Sequence, residues 1–398
     1  MTDTGLPEFP FSHPQGLDLI PEYERFRNEC PVTKVRLKPG GEAYLIARYR
    51  DVRRIFDDDT IFSRADTCKP ESAVLLPGSK IPDVMLAMDR PEHTRLRKLV
   101  VQAFTTGAVA RVRPRIEQIA EELIDELVEK GPGTDFIPTF AVPFPAQVIC
   151  ELLGVPTTDV DQMIWWLQHL LSVSRFTMEE TVAALDALGS YCYELVVRKR
   201  EEPADDLVSG LIAAHDQGER MTEPELVKMI YLILGAGFET SANMVPNALV
   251  TFGRHPDQWE LLRQDPDRVP TAVEEVLRYV SVSQAGLDRV TRADVELSGC
   301  PVPARSTVIP LLSSANMDAS IFERPERFDV RRSPNPHLGF GHGPHRCVGA
   351  PLALVELEVA FRTLLARVPG IRPAVPLEEL EWKQGMGTRA MVALPVVW

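Results

Sequence analysis

No two of the six cysteines are close in sequence: Cys30, Cys68, Cys150, Cys192, Cys300 and Cys347 are scattered over 398 residues, with no CxxC pair. That excludes a zinc ribbon or a disulfide framework and points to a reducing, cytoplasmic setting. Positive charge is short as well. Lys and Arg total 43 against 57 Asp and Glu, a formal charge of −14, which excludes sequence-independent nucleic-acid binding. No apolar run approaches the ~18 residues that span a bilayer, so no membrane association is expected. The opening stretch MTDTGLPEFPFSHP lacks the basic and apolar regions of a signal peptide. Linkers, low-complexity tracts and internal repeats are missing too, so residues 1–398 are expected to form one domain. What remains is ordinary globular composition, 44% apolar and 25% charged, with a core large enough to enclose a cofactor. The 34 prolines are dispersed and mark many loops.

Residues 32–47 alternate around Pro39-Gly40-Gly41 and predict a hairpin. A short helix is expected from Asp51 to Phe56, followed by a weakly patterned stretch, 60–88. Helical periodicity then recurs at 91–105, 111–130, 158–172, 179–200, 223–254 and 270–280. Thr222 and Glu225 have capping-box spacing at the start of the long 223–254 helix. Pro246, within it, should free the carbonyl of Ala242 and kink or end the helix early. Residues 286–310 alternate again, and Met391 to Trp398 reads as a last strand. The fold class is mainly α with small β-sheets.

Near the C-terminus stands Phe340-Gly341-His342-Gly343-Pro344-His345-Arg346-Cys347-Val348-Gly349-Ala350-Pro351-Leu352-Ala353. One cysteine occupies a glycine-spaced loop, 340–353, that runs into a helix. Glycines tolerate a tight turn and close approach to a flat group, and Pro351 suits a first helical turn. An isolated cysteine beside a turn is usually a small structural hydrophobe. This stretch, however, closely resembles the haem-ligand loop of the haem-thiolate monooxygenases, the cytochromes P-450. The resemblance extends over essentially the whole chain and implies that family's roughly triangular helical fold. It implies haem b (iron protoporphyrin IX) with Cys347 as metal ligand, a thiolate that pushes electron density onto iron. Phe340, Gly341, His345 and Gly349 are the loop's cofactor-binding positions under the same resemblance.

Other segments match the family in register. Ala236-Gly237-Phe238-Glu239-Thr240 resembles the Ala-Gly step and acid–alcohol pair of the oxygen-activating helix. Glu239 and Thr240 are then the catalytic proton relay, with Ala236 against the haem. Thr240 can hydrogen-bond the carbonyl of Ala236 and open the helix locally. Phe238 departs from the His common in relatives. Glu275-Val276-Leu277-Arg278 matches ExxR, a pair on one helix face that the resemblance makes a structural brace, with Arg327 as third member. His93 and Arg97, four residues apart, together with Arg289 and His345, match contacts to the haem propionates. Two carboxylates on a macrocycle call for fixed cations of this kind.

A monooxygenase that inserts one oxygen atom of O2 into a small, secondary-metabolite-like molecule by hydroxylation or epoxidation is the function the resemblance implies. Oxidative coupling of two aromatic centres without oxygen insertion stays open beside it. A non-catalytic haem protein would not need Glu239-Thr240, and a peroxide-driven variant would carry Arg-Pro there. Lacking an attached flavin or iron–sulfur domain, the chain would draw electrons originating in NAD(P)H from a separate ferredoxin and ferredoxin reductase. Docking would use Arg95, Lys98, Arg111, Arg113 and Arg346, and the chain is expected to act as a monomer. Substrate-pocket positions carried over by resemblance are Val84, Met85, Met88, Leu232, Ile233, Phe238, Val282, Gln284, Leu287 and Met386. No Lys or Arg stands out among them, which favours a neutral polyketide, terpenoid, or aromatic or cyclic-peptide scaffold over a fatty acid.

Overall fold

The computed structural model describes residues 5–11, 17–18, 20–76, 80–170, 175–216, 221–283 and 285–398. Helices dominate, and their starts follow sequence chemistry. Thr222 opens the helix Glu223–Gly237 with a full capping box: its side chain accepts the Glu225 N–H while the Glu225 carboxylate accepts the Thr222 N–H. Thr177 and Glu180 do the same for Met178–Glu201. Such caps satisfy N–H groups that have no partner within the helix.

The described residues include ten short strands. They are β1 (Glu8–Phe9), β2 (Val32–Leu37), β3 (Glu42–Ile46), β4 (Phe62–Ser63), β5 (Arg289–Thr291), β6 (Val295–Leu297), β7 (Cys300–Val302), β8 (Thr307–Pro310), β9 (Arg372–Pro373) and β10 (Val396–Val397). Six form one sheet in the order β1-β2-β3-β8-β5-β4. The hairpin pairs Val32 with Ile46 and Arg36 with Glu42. β3 lies parallel to β8, and β5 antiparallel to it with Arg289 opposite Val308. This pairing sets Arg289 on a paired strand, buried, with its guanidinium over the Phe56 ring. The last strand is broken up: Val396–Val397 pairs with β9, while Met391 and Pro395 form isolated antiparallel bridges to Trp382 and Asp135.

The large core lies among the helices, with Ile124, Phe140, Leu188, Leu234, Leu249 and Phe361 all buried. A second cluster packs the helix Tyr49–Asp57 beneath the sheet through Val52, Ile55 and Phe62. The expected 223–254 helix is two helices, Glu223–Gly237 and Glu239–Arg254, joined at Phe238. Pro246 does not end the second of them; helical structure runs on to Arg254. The break falls at the Ala-Gly step instead. Thr240 donates its hydroxyl to the Ala236 carbonyl (3.2 Å), competing with the backbone ladder. The ladder resumes where the Ala242 N–H donates to the Phe238 carbonyl.

Candidate active site

The cysteine loop is held by its own backbone. The Gly341 N–H donates to the Leu338 carbonyl (2.8 Å), and the Cys347 N–H to the Phe340 carbonyl (2.9 Å). Gly343 has φ +66, and a Cβ there would stand 2.3 Å from the Phe56 carbonyl oxygen. Glycine is therefore required both by conformation and by close approach. The loop leads into the helix Ala350–Arg367.

Cys347 is exposed and forms no disulfide. Packed protein nevertheless surrounds it on its other sides and raises its pKa. The backbone N–H groups of Gly349 and Ala350 and the charges of Arg346 and Arg97 act the other way. Cys150 and Cys192, by contrast, are buried in the core and pushed up to about 12. A thiol of the first kind, with N–H groups directed at sulfur, suits a metal ligand better than these two, since a bound metal would deprotonate it outright.

His93, Arg97, Arg289 and His345 come together as expected of one site. The His93 and His345 rings lie 4.0 Å apart, and Arg289 and Arg97 act electrostatically on both. Burial first, and then these cations, lower His93 to about 4 and His345 further. Arg289 is likewise held well below its usual value by burial and by Arg64. Arg64, absent from the expected set, is fully buried in this cluster: its Nε and Nη1 donate to the Leu86 and Asp288 carbonyls. Arg64 Nη2, His93 Nε2 and His345 Nε2 are buried without partners. Buried cations and polar nitrogens aimed at carbonyls and at nothing are the surroundings that an anionic group satisfies. The two propionates of haem fit this cluster.

Glu239 and Thr240 head the second helix of the broken pair. Ala236, one turn back, is exposed, and Thr240 is partly so. Glu239 is 6% exposed; its Oε1 accepts the Thr388 hydroxyl (2.8 Å), and its Oε2 has no partner. Burial pushes its pKa up to about 7, against the opposing effects of the Thr388 hydrogen bond, Lys383 and Arg175. Asn243 fixes the backbone by donating to the Glu239 carbonyl. A second buried acid lies next door: Glu356, pushed up to about 8, accepts the Ser241 hydroxyl at 2.7 Å.

The ExxR pair is fully buried, with Arg278 bidentate on Glu275 at 2.8 Å per contact. The third member is Arg332, not Arg327. Arg332 Nε lies 3.1 and 3.2 Å from the two Glu275 oxygens. The Arg327 side chain instead reaches the surface beside Asp329 at 3.8 Å. Only Arg327's carbonyl joins the network, accepting from Arg278 and Arg332. Arg327 lies in Pro325-Glu326-Arg327-Phe328, and the chain turns back five residues later to bring Arg332 to Glu275.

Val84, Met85, Ile233, Phe238, Val282 and Met386 are buried; Met88, Leu232 and Leu287 are partly so. Gln284 lies outside the described residues. A cation does stand in this region: Lys383, half-buried, acts on Glu239. A cavity of about 360 Å³ adjoins the brace instead, lined by residues such as Glu274, Arg332, His337 and Arg346, and includes no member of the Glu239–Thr240 group. No helix among the described residues is long and apolar enough to cross a membrane.

The family model described as cytochrome P-450 matches residues 146–368. The chain is 41% identical over 400 residues to nocardicin C N-oxygenase of Nocardia uniformis subsp. tsuyamanensis, covering all of both chains. It is 39% identical to mycinamicin IV hydroxylase/epoxidase of Micromonospora griseorubida, again over the full length of both. Among solved structures, a cytochrome P-450 hydroxylase of the leinamycin pathway of Streptomyces atroolivaceus superposes with TM-score 0.90 at 39% identity, covering 99% of this chain and 100% of that one. A cytochrome P-450 with biaryl coupling reactivity superposes with TM-score 0.93 at 34% identity, covering 98% and 99%.

Proposed function

The chain belongs to the cytochrome P-450 family, and from that premise we propose that it is a haem-thiolate monooxygenase that inserts one oxygen atom of O2 into a small organic molecule of secondary metabolism. Haem, when bound, supplies dioxygen activation at a thiolate-ligated iron. The observation that carries the reading is the accessible Cys347, ringed by the N–H groups of its loop at the start of a helix.

The chain's own residues have distinct tasks. Cys347 gives the sulfur, and the Gly349 and Ala350 N–H groups moderate its donor strength. His93, Arg97, Arg289 and His345, joined by Arg64, take the propionates. Glu239, with a pKa near 7, can both hold and release a proton at neutral pH, as an efficient general acid must. Thr240, fixed by the Ala236 carbonyl, passes that proton into the opening of the broken helix. Glu275, Arg278 and Arg332 brace the fold and touch no reacting atom.

Electrons come from a redox partner system. We assign this role to a ferredoxin and its NAD(P)H-dependent reductase. Of the docking candidates, Lys98, Arg111 and Arg346 are exposed, whereas Arg95 is tied to Glu225 and Arg113 to Glu117 and Glu358. The substrate class best supported is a mid-sized, largely apolar scaffold held by shape, as mostly apolar walls select.

Turnover under isotopically labelled dioxygen, with product mass as readout, tests the reading. One labelled oxygen gained per product is expected. Two hydrogens lost with no label gained would replace insertion by coupling, the reactivity named for one structural relative.

A further inference from the structure

The Glu239 carboxyl is gripped from outside its own helix. Thr388, 149 residues away in sequence, donates its hydroxyl to Glu239 Oε1 at 2.8 Å, a buried contact. It is the hydrogen bond that this carboxyl makes among the described residues, because Oε2 has none. Thr388 itself is fixed by backbone on both flanks. It bridges Ser283 as an isolated antiparallel pair, and the next N–H, of Arg389, donates to the Val282 carbonyl (3.0 Å). The Arg389 carbonyl accepts Asn247 Nδ2 (2.9 Å) from the helix Glu239–Arg254. A β-branched side chain on an immobilised backbone has few rotamers, so the hydroxyl is presented to Glu239 at a fixed place.

We propose that Thr388 is a positioning residue of the proton relay, holding Glu239 by Oε1 so that Oε2 is the oxygen that carries and releases the proton. The inference rests on the reading above that Glu239 serves the relay. When Oε2 gives up its proton towards Thr240, the carboxylate left behind keeps the Thr388 hydrogen bond, and solvent restores the proton. A donor aimed at a carboxylate favours its charged form, so Thr388 also limits how far burial raises the acid. Lys383 and Arg175 face the same carboxyl and act in the same sense. Lys383 arrives on the same segment, its N–H donating to the Ala390 carbonyl at 2.8 Å. Among the described residues the side-chain hydrogen bond of Thr388 goes to Glu239 and not to the cysteine loop or the propionate cluster, so haem loading is separable from its role.

The test compares Thr388→Val, Thr388→Ser and Glu239→Gln holoenzymes, each checked for haem content and for the ferrous–CO spectrum. Infrared titration follows the protonated carboxyl band that Glu239→Gln removes. In Thr388→Val its midpoint should rise by ~1 pH unit, and the pH profile of NAD(P)H consumption, run without organic substrate, should move up with it. Thr388→Ser should restore both. Thr388→Ala supplies the same readouts if the valine variant fails to load haem. An unchanged midpoint and profile in a haem-loaded Thr388→Val or Thr388→Ala, while Glu239→Gln slows consumption, would overturn the positioning role. Unchanged consumption in Glu239→Gln would overturn the relay reading itself.

Discussion

Arg332 and Arg327 give a sharp comparison, because both lie near Glu275 and only one reaches it. Glu275 has no exposed surface and accepts from Arg278, Arg332, the Asp329 N–H and Asn335. Replacing Arg332 by Met keeps most of the stem volume but removes one of two guanidiniums from a buried carboxylate. It also abandons the Glu323, Arg324 and Arg327 carbonyls to which Arg332 donates. Removing a partner of a buried pair typically costs about 3–5 kcal/mol. Arg278 stays in place, so the low end, about 3 kcal/mol, is the expectation, roughly a hundredfold in the folded-to-unfolded ratio. The Arg327 side chain is 43% exposed, and its ion pair with Asp329 is 3.8 Å long, so Arg327→Ala should cost about 0–1 kcal/mol. Denaturant unfolding of the two holoproteins measures the difference. Equal costs, or a larger one for Arg327→Ala, would refute the placement of the third arginine.

Gly343→Ala should yield little haem-loaded protein, because a Cβ meets the Phe56 carbonyl at 2.3 Å and φ is +66; Gly107→Ala, with open space around it, should behave as wild type when absorbance of the bound haem is compared. Thr240→Ala should leave haem loading intact while more NAD(P)H ends as peroxide, since a proton path is lost and no binding contact is; an unchanged peroxide yield would exclude Thr240 from the relay. Glu356 titrates near 8 when folded and near 4.5 when not, so the native state holds a proton that the unfolded chain has lost between those values, and stability should fall as pH rises through that window. Glu356→Gln should remove that slope of about 1.4 kcal/mol per pH unit, a few kcal/mol between pH 5 and pH 8; the same loss in both proteins in denaturation at those two pH values would contradict it.

Local chemistry was legible in the sequence. The capping box at Thr222, the hairpin at Pro39-Gly40-Gly41 and the glycine loop around Cys347 depend on neighbours only a few residues apart. The break at Phe238 was foreseen in its cause, the Thr240 back-bond, but the helix was expected as one piece, with Pro246 as its weak point. Proline frees a carbonyl without ending a helix whose flanks are buried, whereas an Ala-Gly step with a competing hydroxyl does. Long-range partners were the least legible. Arg64, Thr388 and Glu356 contribute through contacts spanning more than a hundred residues, and no periodicity encodes such a meeting. Arg332 was missed because the brace closes through a turn, not along a helix face. A signal for Glu356 does exist: an acid among Leu354, Val355, Leu357 and Val359 must be buried or paired.

The central claim is that Cys347 alone ligates haem iron. The ferrous–CO absorption spectrum tests it directly. The wild-type protein should show the strongly red-shifted Soret band of thiolate ligation; Cys68→Ser and Cys300→Ser should keep it, and Cys347→Ser should lose it. Retention of that band in Cys347→Ser, or its absence from the wild-type holoprotein, would contradict the account.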